Sequence, residues 1–320
     1  MAPGFLAKLQ EKAADLGLIS MPKDGPDFTI NQQRFVSRGG FGSIFAGTID
    51  SDGTNVAVKV LRNPAAKEYF EDEYKLLKML RGNPSIVHVY AYDPHQKDVN
   101  LPCIAMERAD TTLEEMLNRD YRDGLPEDLM KRFVCQMKVA MKALWDETIA
   151  HRDIKPANVL VFKEERGVFW KTENIRFKLC DFGLSKDVDK MNEVMETMCG
   201  TDAFMAPDMY GKRLALYENA EVTAKEADSW SMAVTFYLAA MGEYPYPHAV
   251  GSHQHYLTIK RIENTDGAIA YRFGQYITAL PHNPSNEYAD ETKDNLAKLI
   301  RALFMQASDK EFIPIMDRFD

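Results

Sequence analysis

His151-Arg152-Asp153-Ile154-Lys155-Pro156-Ala157-Asn158 places a carboxylate, a lysine two residues on and an amide five residues on in a loop before a short strand. Downstream, Asp181-Phe182-Gly183 ends another short strand, and Ala206-Pro207-Asp208 closes the segment. Upstream, Val56-Ala57-Val58-Lys59-Val60 puts one lysine in an apolar strand. If the three valines face one side, Lys59 shares the other with Ala57, and a buried ammonium needs a partner. The helical pattern at about 65–80 offers one: Ala66, Phe70, Leu77 and Leu80 form an apolar stripe with Glu73 inside it. The alternative is a Glu73 that merely borders solvent. Ser37-Arg38-Gly39-Gly40-Phe41-Gly42-Ser43-Ile44 would let the backbone approach a polyphosphate at Gly39, Gly40 and Gly42, with Phe41 as a lid, or would be a plain glycine-rich turn.

Composition excludes several classes. The 320 residues are 45% hydrophobic and 27% charged, with 18 Gly and 15 Pro, which is ordinary globular usage and not collagen-like, low-complexity or wholly disordered. With 39 basic against 48 acidic residues the net charge is -9, so no broad basic surface is expected for a nucleic-acid polymer or an anionic lipid. Cys103, Cys135, Cys180 and Cys199 form no C-x-x-C motif and fit a reducing cytoplasm or nucleus. The N-terminus lacks a signal pattern, and the apolar run Met232–Met241 is about half of a membrane span. A soluble cytoplasmic protein without membrane insertion is expected.

Along the chain, residues 4–18 have the spacing of a short amphipathic helix. Strand candidates follow at Phe45–Thr48, Asn55–Leu61, Val87–Tyr92 and Cys103–Met106, and helical patterns dominate from about 112, broken by short strands near 159–162 and 177–180. The expected divisions are an N-terminal extension at 1–27, a small β-rich lobe at 28–106 and a larger helical lobe at 107–320.

These motifs, in this order from about 35 to 245, resemble the eukaryotic protein kinase superfamily. The resemblance implies an α+β bilobal protein kinase fold, a small β-rich N-lobe with one key helix and a larger α-helical C-lobe. It implies ATP and Mg²⁺ as cofactors and proteins as substrates. Lys59 would hold the α- and β-phosphates and pair with Glu73, Asp153 would orient the acceptor hydroxyl and take its proton, and Lys155 would steady the γ-phosphate. Asn158 and Asp181 would hold Mg²⁺. The ATP-binding set is Ser37, Gly39, Gly40, Phe41, Gly42, Ile44, Ala57, Lys59 and Leu160, with Met106 as gatekeeper and Glu107 and Ala109 offering main-chain hydrogen bonds to adenine. His151 becomes a packed structural residue and Asp228 a buried brace beneath the catalytic loop. Lys155 together with Thr201, in the loop that meets the residue after the acceptor, marks a protein serine/threonine kinase. Rival readings are a pseudokinase scaffold and a small-molecule phosphotransferase.

Ala157 and Leu238 stand where arginine-directed kinases carry glutamates, and Met205 stands where proline-directed kinases carry arginine, so neither preference is expected. Leu184 leans towards serine acceptors. Ser37 replaces the first glycine of the phosphate loop, and ligation of a metal by His253 and His255 is not expected.

Gly124-Leu125-Pro126-Glu127, Pro207-Asp208-Met209-Tyr210 and the stretch from Trp230 to Ala240 are similar to the IκB-kinase-related group of TANK-binding kinase and inducible IκB kinase. That likeness implies intracellular signalling of an innate-immune or stress type. Members of the group continue into a ubiquitin-like domain and a coiled coil, and Asp320 lies about where the former would begin.

Thr197, within Thr197-Met198-Cys199-Gly200-Thr201, is the expected phosphorylation site, modified by an upstream kinase or a second copy acting in trans. Arg152 precedes Asp153 and would receive the phosphate, which adds charge-assisted hydrogen bonds that order the segment. Replacing Thr197 with Ala is expected to lower phosphotransfer in a kinase assay. Unchanged activity would overturn the assignment.

Overall fold

Phe28–Arg38 (β1), Gly42–Ile49 (β2) and Asn55–Leu61 (β3) pair antiparallel in sequence order. Val89–Asp93 (β4) and Cys103–Glu107 (β5) complete a five-stranded sheet in the order β1-β2-β3-β5-β4. The computed structural model describes residues 21–38, 42–163, 174–187, 200–206, 209, 223–245, 288–304 and 309–319. The helix predicted at 4–18, residues 164–173 and the pair His253 and His255 lie outside them.

Two units result, one of Met1–Ala109 with Asp181–Gly183, the other of Asp110–Cys180 with Leu184–Asp320. Period-two alternation builds the first. Val56, Val58 and Val60 of β3 join Phe28, Ile30, Phe45 and Ala105 in one hydrophobic cluster, which sends Lys59 to the opposite face. Lys67–Met79 (α1) packs on the sheet and buries Phe70, Glu73, Tyr74, Leu76 and Leu77. The ladder of β4 begins at Val89, two residues later than the apolar run from Val87 predicts. Hydropathy there reports burial: Ile86 and Val87 are both 1% exposed, while the turn closed by the Ser85 N–H on Asn83 Oδ1 still directs the backbone.

The second unit opens with Thr111–Thr112 (β6) and the short helix Leu113–Arg119 (α2), N-capped by Thr112, whose hydroxyl accepts from Glu115 N–H. Glu127–Asp146 (α3) begins after Pro126, where a rigid φ suits a helix entry. Ile149–Ala150 (β7), Val159–Lys163 (β8) and Ile175–Leu179 (β9) follow, with β6-β8-β9 forming one small sheet and Lys186–Asp187 (β10) pairing with β7.

Ala224–Met241 (α4) organises this unit. A reciprocal capping box of Thr223 and Glu226 starts it, and nearly every residue is buried, as expected of a helix that is apolar all round. Asp290–Phe304 (α5) packs against it, with the rings of Trp230 and Phe304 4.6 Å apart. Asp309–Met316 (α6) and a 3-10 turn at Asp317–Phe319 complete the described chain.

One charge is sunk in α4. Asp228 is 1% exposed, and its two carboxylate oxygens accept the backbone N–H groups of His151 and Arg152, both at 2.8 Å. Arg152 has φ of 65°, a left-handed conformation unusual for a non-glycine residue, so these bonds hold a turn the chain would not choose alone. Burial pushes the Asp228 carboxyl upward, and the two backbone N–H groups it accepts oppose that rise. Asp228→Asn exchanges one acceptor for a donor and strands one buried N–H. It is expected to cost about 1–3 kcal/mol in urea unfolding. An unchanged unfolding midpoint would show that the brace carries no load.

Candidate active site

In the first unit, strand register brings the predicted residues to one face. Directly paired residues of antiparallel strands point the same way. Ser37 pairs with Ile44, Ile44 with Lys59, and Ala57 with Met106, so all five line the side away from the hydrophobic cluster. Gly42 begins β2, and a Cβ there would fall 2.9 Å from Lys59 Cγ and from the Val60 carbonyl oxygen. Its missing side chain leaves the Lys59 stem its room. Gly39, Gly40 and Phe41 lie outside the described residues.

Lys59 is 3% exposed and its ammonium donates to both Glu73 oxygens at 2.6 Å and to Asp181 Oδ1 at 2.8 Å. Glu73, at 1% exposure, lies fully inside and does not border solvent. Burial alone would pull the Lys59 proton off, but the charges of Asp181 and Glu73 outweigh it and keep the ammonium charged. Burial likewise raises Glu73 above the usual carboxylate range, with Lys59 opposing and Asp181 adding to the rise. One cation thus faces two carboxylates. Asp181 keeps a side chain 31% exposed and a φ of 63°, held by the chain around it and not by its own preference.

At the end of β5 the Glu107 N–H is committed to the His88 carbonyl at 2.9 Å, so the carbonyl is what Glu107 offers on its main chain. The Ala109 N–H makes no hydrogen bond among the described residues.

In the second unit three polar groups gather around one carboxylate in the loop after β7. Asp153 accepts from Lys155 Nζ at 2.8 Å on Oδ2, from Thr201 Oγ1 at 2.8 Å on Oδ1 and from Asn158 Nδ2 at 3.0 Å on Oδ2. Lys155 also donates to Thr201 Oγ1 at 2.7 Å, and Asn158 Nδ2 to the Asp153 carbonyl at 2.8 Å. Asn158 therefore spends its amide nitrogen on the loop, and its Oδ1 takes no hydrogen bond among the described residues. A neutral amide oxygen is a hard donor of the kind that suits Mg²⁺, as is, in the first unit, the partly exposed carboxylate of Asp181. Leu160, half-buried in β8, pairs with Thr112.

His151 does no chemistry at this carboxylate. It is fully buried, Nδ1 accepts from Asp153 N–H at 3.3 Å, and Nε2 therefore carries the proton donated to the Cys180 carbonyl at 3.0 Å. The Arg152 guanidinium donates to the Leu184 carbonyl. Thr197, Pro207 and Asp208 lie outside the described residues.

Sequence reading missed two connections. The direct bond between Lys59 and Asp181 joins residues 122 apart, which spacing cannot show. Ser231, whose hydroxyl donates to the Phe204 carbonyl at 2.8 Å, ties the segment carrying Thr201 to α4. Its signal was available: a buried hydroxyl three residues from Asp228 on the same face of an apolar helix.

The protein kinase domain family matches residues 30–310. Among curated proteins, the chain is 28% identical over 242 residues to the inhibitor of nuclear factor kappa-B kinase epsilon subunit homolog 1 of Caenorhabditis elegans, covering 70% of this chain and 29% of that one. It is 32% identical over 182 residues to the ovarian-specific serine/threonine-protein kinase Lok of Drosophila melanogaster, covering 57% of this chain and 34% of that one. With CBL-interacting protein kinase 25 of Oryza sativa subsp. japonica it shares 28% identity over 239 residues, 69% of this chain and 42% of that one. The chain thus spans well under half the length of these relatives. A match that takes in the sheet, the lysine and glutamate pair and the loop around Asp153 makes this chain a member of the protein kinase domain family.

Proposed function

We propose that the chain is an ATP-dependent protein serine/threonine kinase of the IκB-kinase-related group, working in intracellular signalling in the cytoplasm. The observation that carries the phosphotransfer reading is the Asp153 carboxylate, fixed by Lys155, Asn158 and Thr201. Asp153 accepts the proton of a serine or threonine hydroxyl as that oxygen attacks the γ-phosphorus of ATP. The bond from γ-phosphorus to the bridging oxygen breaks, and ADP leaves with that oxygen's electrons. Lys155, 2.8 Å from Asp153, supplies positive charge beside the transferred group. Lys59, already poised against Glu73 and Asp181, donates to the α- and β-phosphate oxygens. Asp181 and Asn158 would each offer an oxygen to Mg²⁺, whose charge would offset that of the phosphates.

Thr201 supports a hydroxyl acceptor of the serine/threonine type, because its side chain joins Lys155 and Asp153 in one network. The IκB-kinase-related assignment rests on the motifs around Pro126, Asp208 and Trp230 and on the likeness to the Caenorhabditis elegans homolog.

The test is transfer of labelled γ-phosphate from ATP to generic protein substrates. The parent chain is expected to label serine and threonine. Asp153→Ala and Lys59→Met are each expected to lower the rate by about a hundredfold or more. A parent chain that binds nucleotide and transfers nothing would refute the reading and leave a scaffold. Transfer to a small molecule alone would refute it in favour of another phosphotransferase.

A further inference from the structure

Residues 21–25, ahead of β1, take no part in the site described above, yet they are fastened to the helix that carries Glu73. Asp24 and Tyr92 of β4 exchange both backbone hydrogen bonds, N–H to carbonyl at 2.9 and 2.8 Å. Gly25 follows with φ of +91°, and a Cβ there would meet the Tyr90 carbonyl oxygen at 2.4 Å and Ala91 Cα at 2.8 Å. Only glycine lets the chain lie this flat on β4. The Asp24 carboxylate then reaches α1, where it accepts from the Tyr74 hydroxyl at 2.8 Å and pairs with the Lys78 ammonium. A second anchor sits one turn back: Glu71 Oε1 accepts from the Met21 N–H at 3.2 Å and from the Tyr92 hydroxyl at 2.9 Å. The rings of Tyr74 and Tyr92 lie 5.3 Å apart between the two anchors.

Glu71, Tyr74 and Lys78 recur at i, i+3 and i+7, so they form one stripe, turned away from Glu73. The helix needs such holding. Its N-cap, Ala66, makes no side-chain capping bond. Its inward ion pair sets one buried ammonium against two carboxylates, and a buried pair offsets its own desolvation only when geometry is fixed from elsewhere.

We propose that residues 21–25 form a strap in which Asp24, acting through Tyr74 and Lys78, is a positioning residue that holds α1 where Glu73 meets Lys59. Glu71 is the second positioning residue, acting through Met21 and Tyr92. This rests on the kinase reading, because the strap matters to phosphotransfer through the Lys59–Glu73 pair. Displacing the strap would let α1 withdraw Glu73 and leave Lys59 to Asp181 alone.

The test uses the full chain and two readouts, hydrogen exchange at the amides of 67–80 and kcat/KM for ATP. Loss of a hydrogen bond to a charged group predicts about a tenfold change in each for Asp24→Ala. Asp24→Asn keeps an acceptor for Tyr74 and is expected to recover most of both. The double exchange Asp24→Lys with Lys78→Asp is expected to recover more activity than Asp24→Lys alone. Lys75→Ala, which breaks only the exposed pair with Asp72, is expected to change neither. If Asp24→Ala fails to fold, Tyr74→Phe removes only the hydroxyl and is expected to speed exchange at 67–80. Unchanged exchange at 67–80 in whichever variant folds overturns the strap. So does faster exchange spread evenly over residues 28–107. A parent chain without phosphotransfer sinks the kinase reading, and exchange at 67–80 still decides whether the strap holds the helix.

Discussion

A single buried ammonium is the constraint on which the first unit depends. Lys59 is 3% exposed, and an ion in that position is tolerated only with partners at hydrogen-bond distance. Strand alternation forces it there: once Val56, Val58 and Val60 enter the hydrophobic cluster, residue 59 has no other face to take. The helix α1 must then present Glu73, and residues 181–183 must bring Asp181. Two carboxylates for one ammonium leave the cluster with surplus negative charge. Mg²⁺ on Asp181 would relieve that surplus and free Lys59 for phosphate oxygens. Such an excess would equip an acidic protein of net charge -9 to take an anionic nucleotide together with a metal ion.

The second unit solves the opposite problem, a carboxylate that must stay available. Asp153 is fixed by donors from three residues, each of which is fixed in turn. Asn158 is bound to the Asp153 carbonyl, Lys155 to Thr201, and the segment carrying Thr201 to α4 through Ser231. Beneath them Asp228 holds the strained turn at Arg152. The links through Thr201 and Arg152 both end on α4, whose burial lets a loop hold its side chains with the accuracy of a helix.

How far the sequence could be read depended on the range of the interaction. The Lys59–Glu73 pair was legible because each residue broke a local pattern, a lysine among valines and a glutamate in an apolar stripe. The strand β3 was legible to the residue, because period-two alternation is local and Lys59 interrupts it. The start of β4 was not, because Ile86 and Val87 are apolar for the core while the preceding turn governs their backbone. The bond from Lys59 to Asp181 left no local trace, since Asp181 had an evident role as a metal ligand. Asp24 and Glu71 were invisible for a different reason. An acidic residue ahead of a strand and another on an exposed helix turn look like solvated charge, and only the fold shows that they face Tyr74 and Tyr92.

Control of such a site can reside outside the site itself. Glu73 cannot be held by its ion pair alone, because the geometry that makes a buried pair favourable is itself a product of where α1 lies. Whatever fixes the outward stripe of α1 therefore fixes the inward one, since a helix moves as a body. In this chain the outward stripe is fastened by two carboxylates, two tyrosine hydroxyls and one backbone N–H, all drawn from residues 21–92. Tyr74 and Tyr92 are buried, but Lys78 is exposed and Asp24 and Glu71 are part-buried, so water and competing groups can reach the charged ends of these contacts. The weaker, wetter face is where a modest free energy can shift the helix, and the dry face is where the shift registers as chemistry.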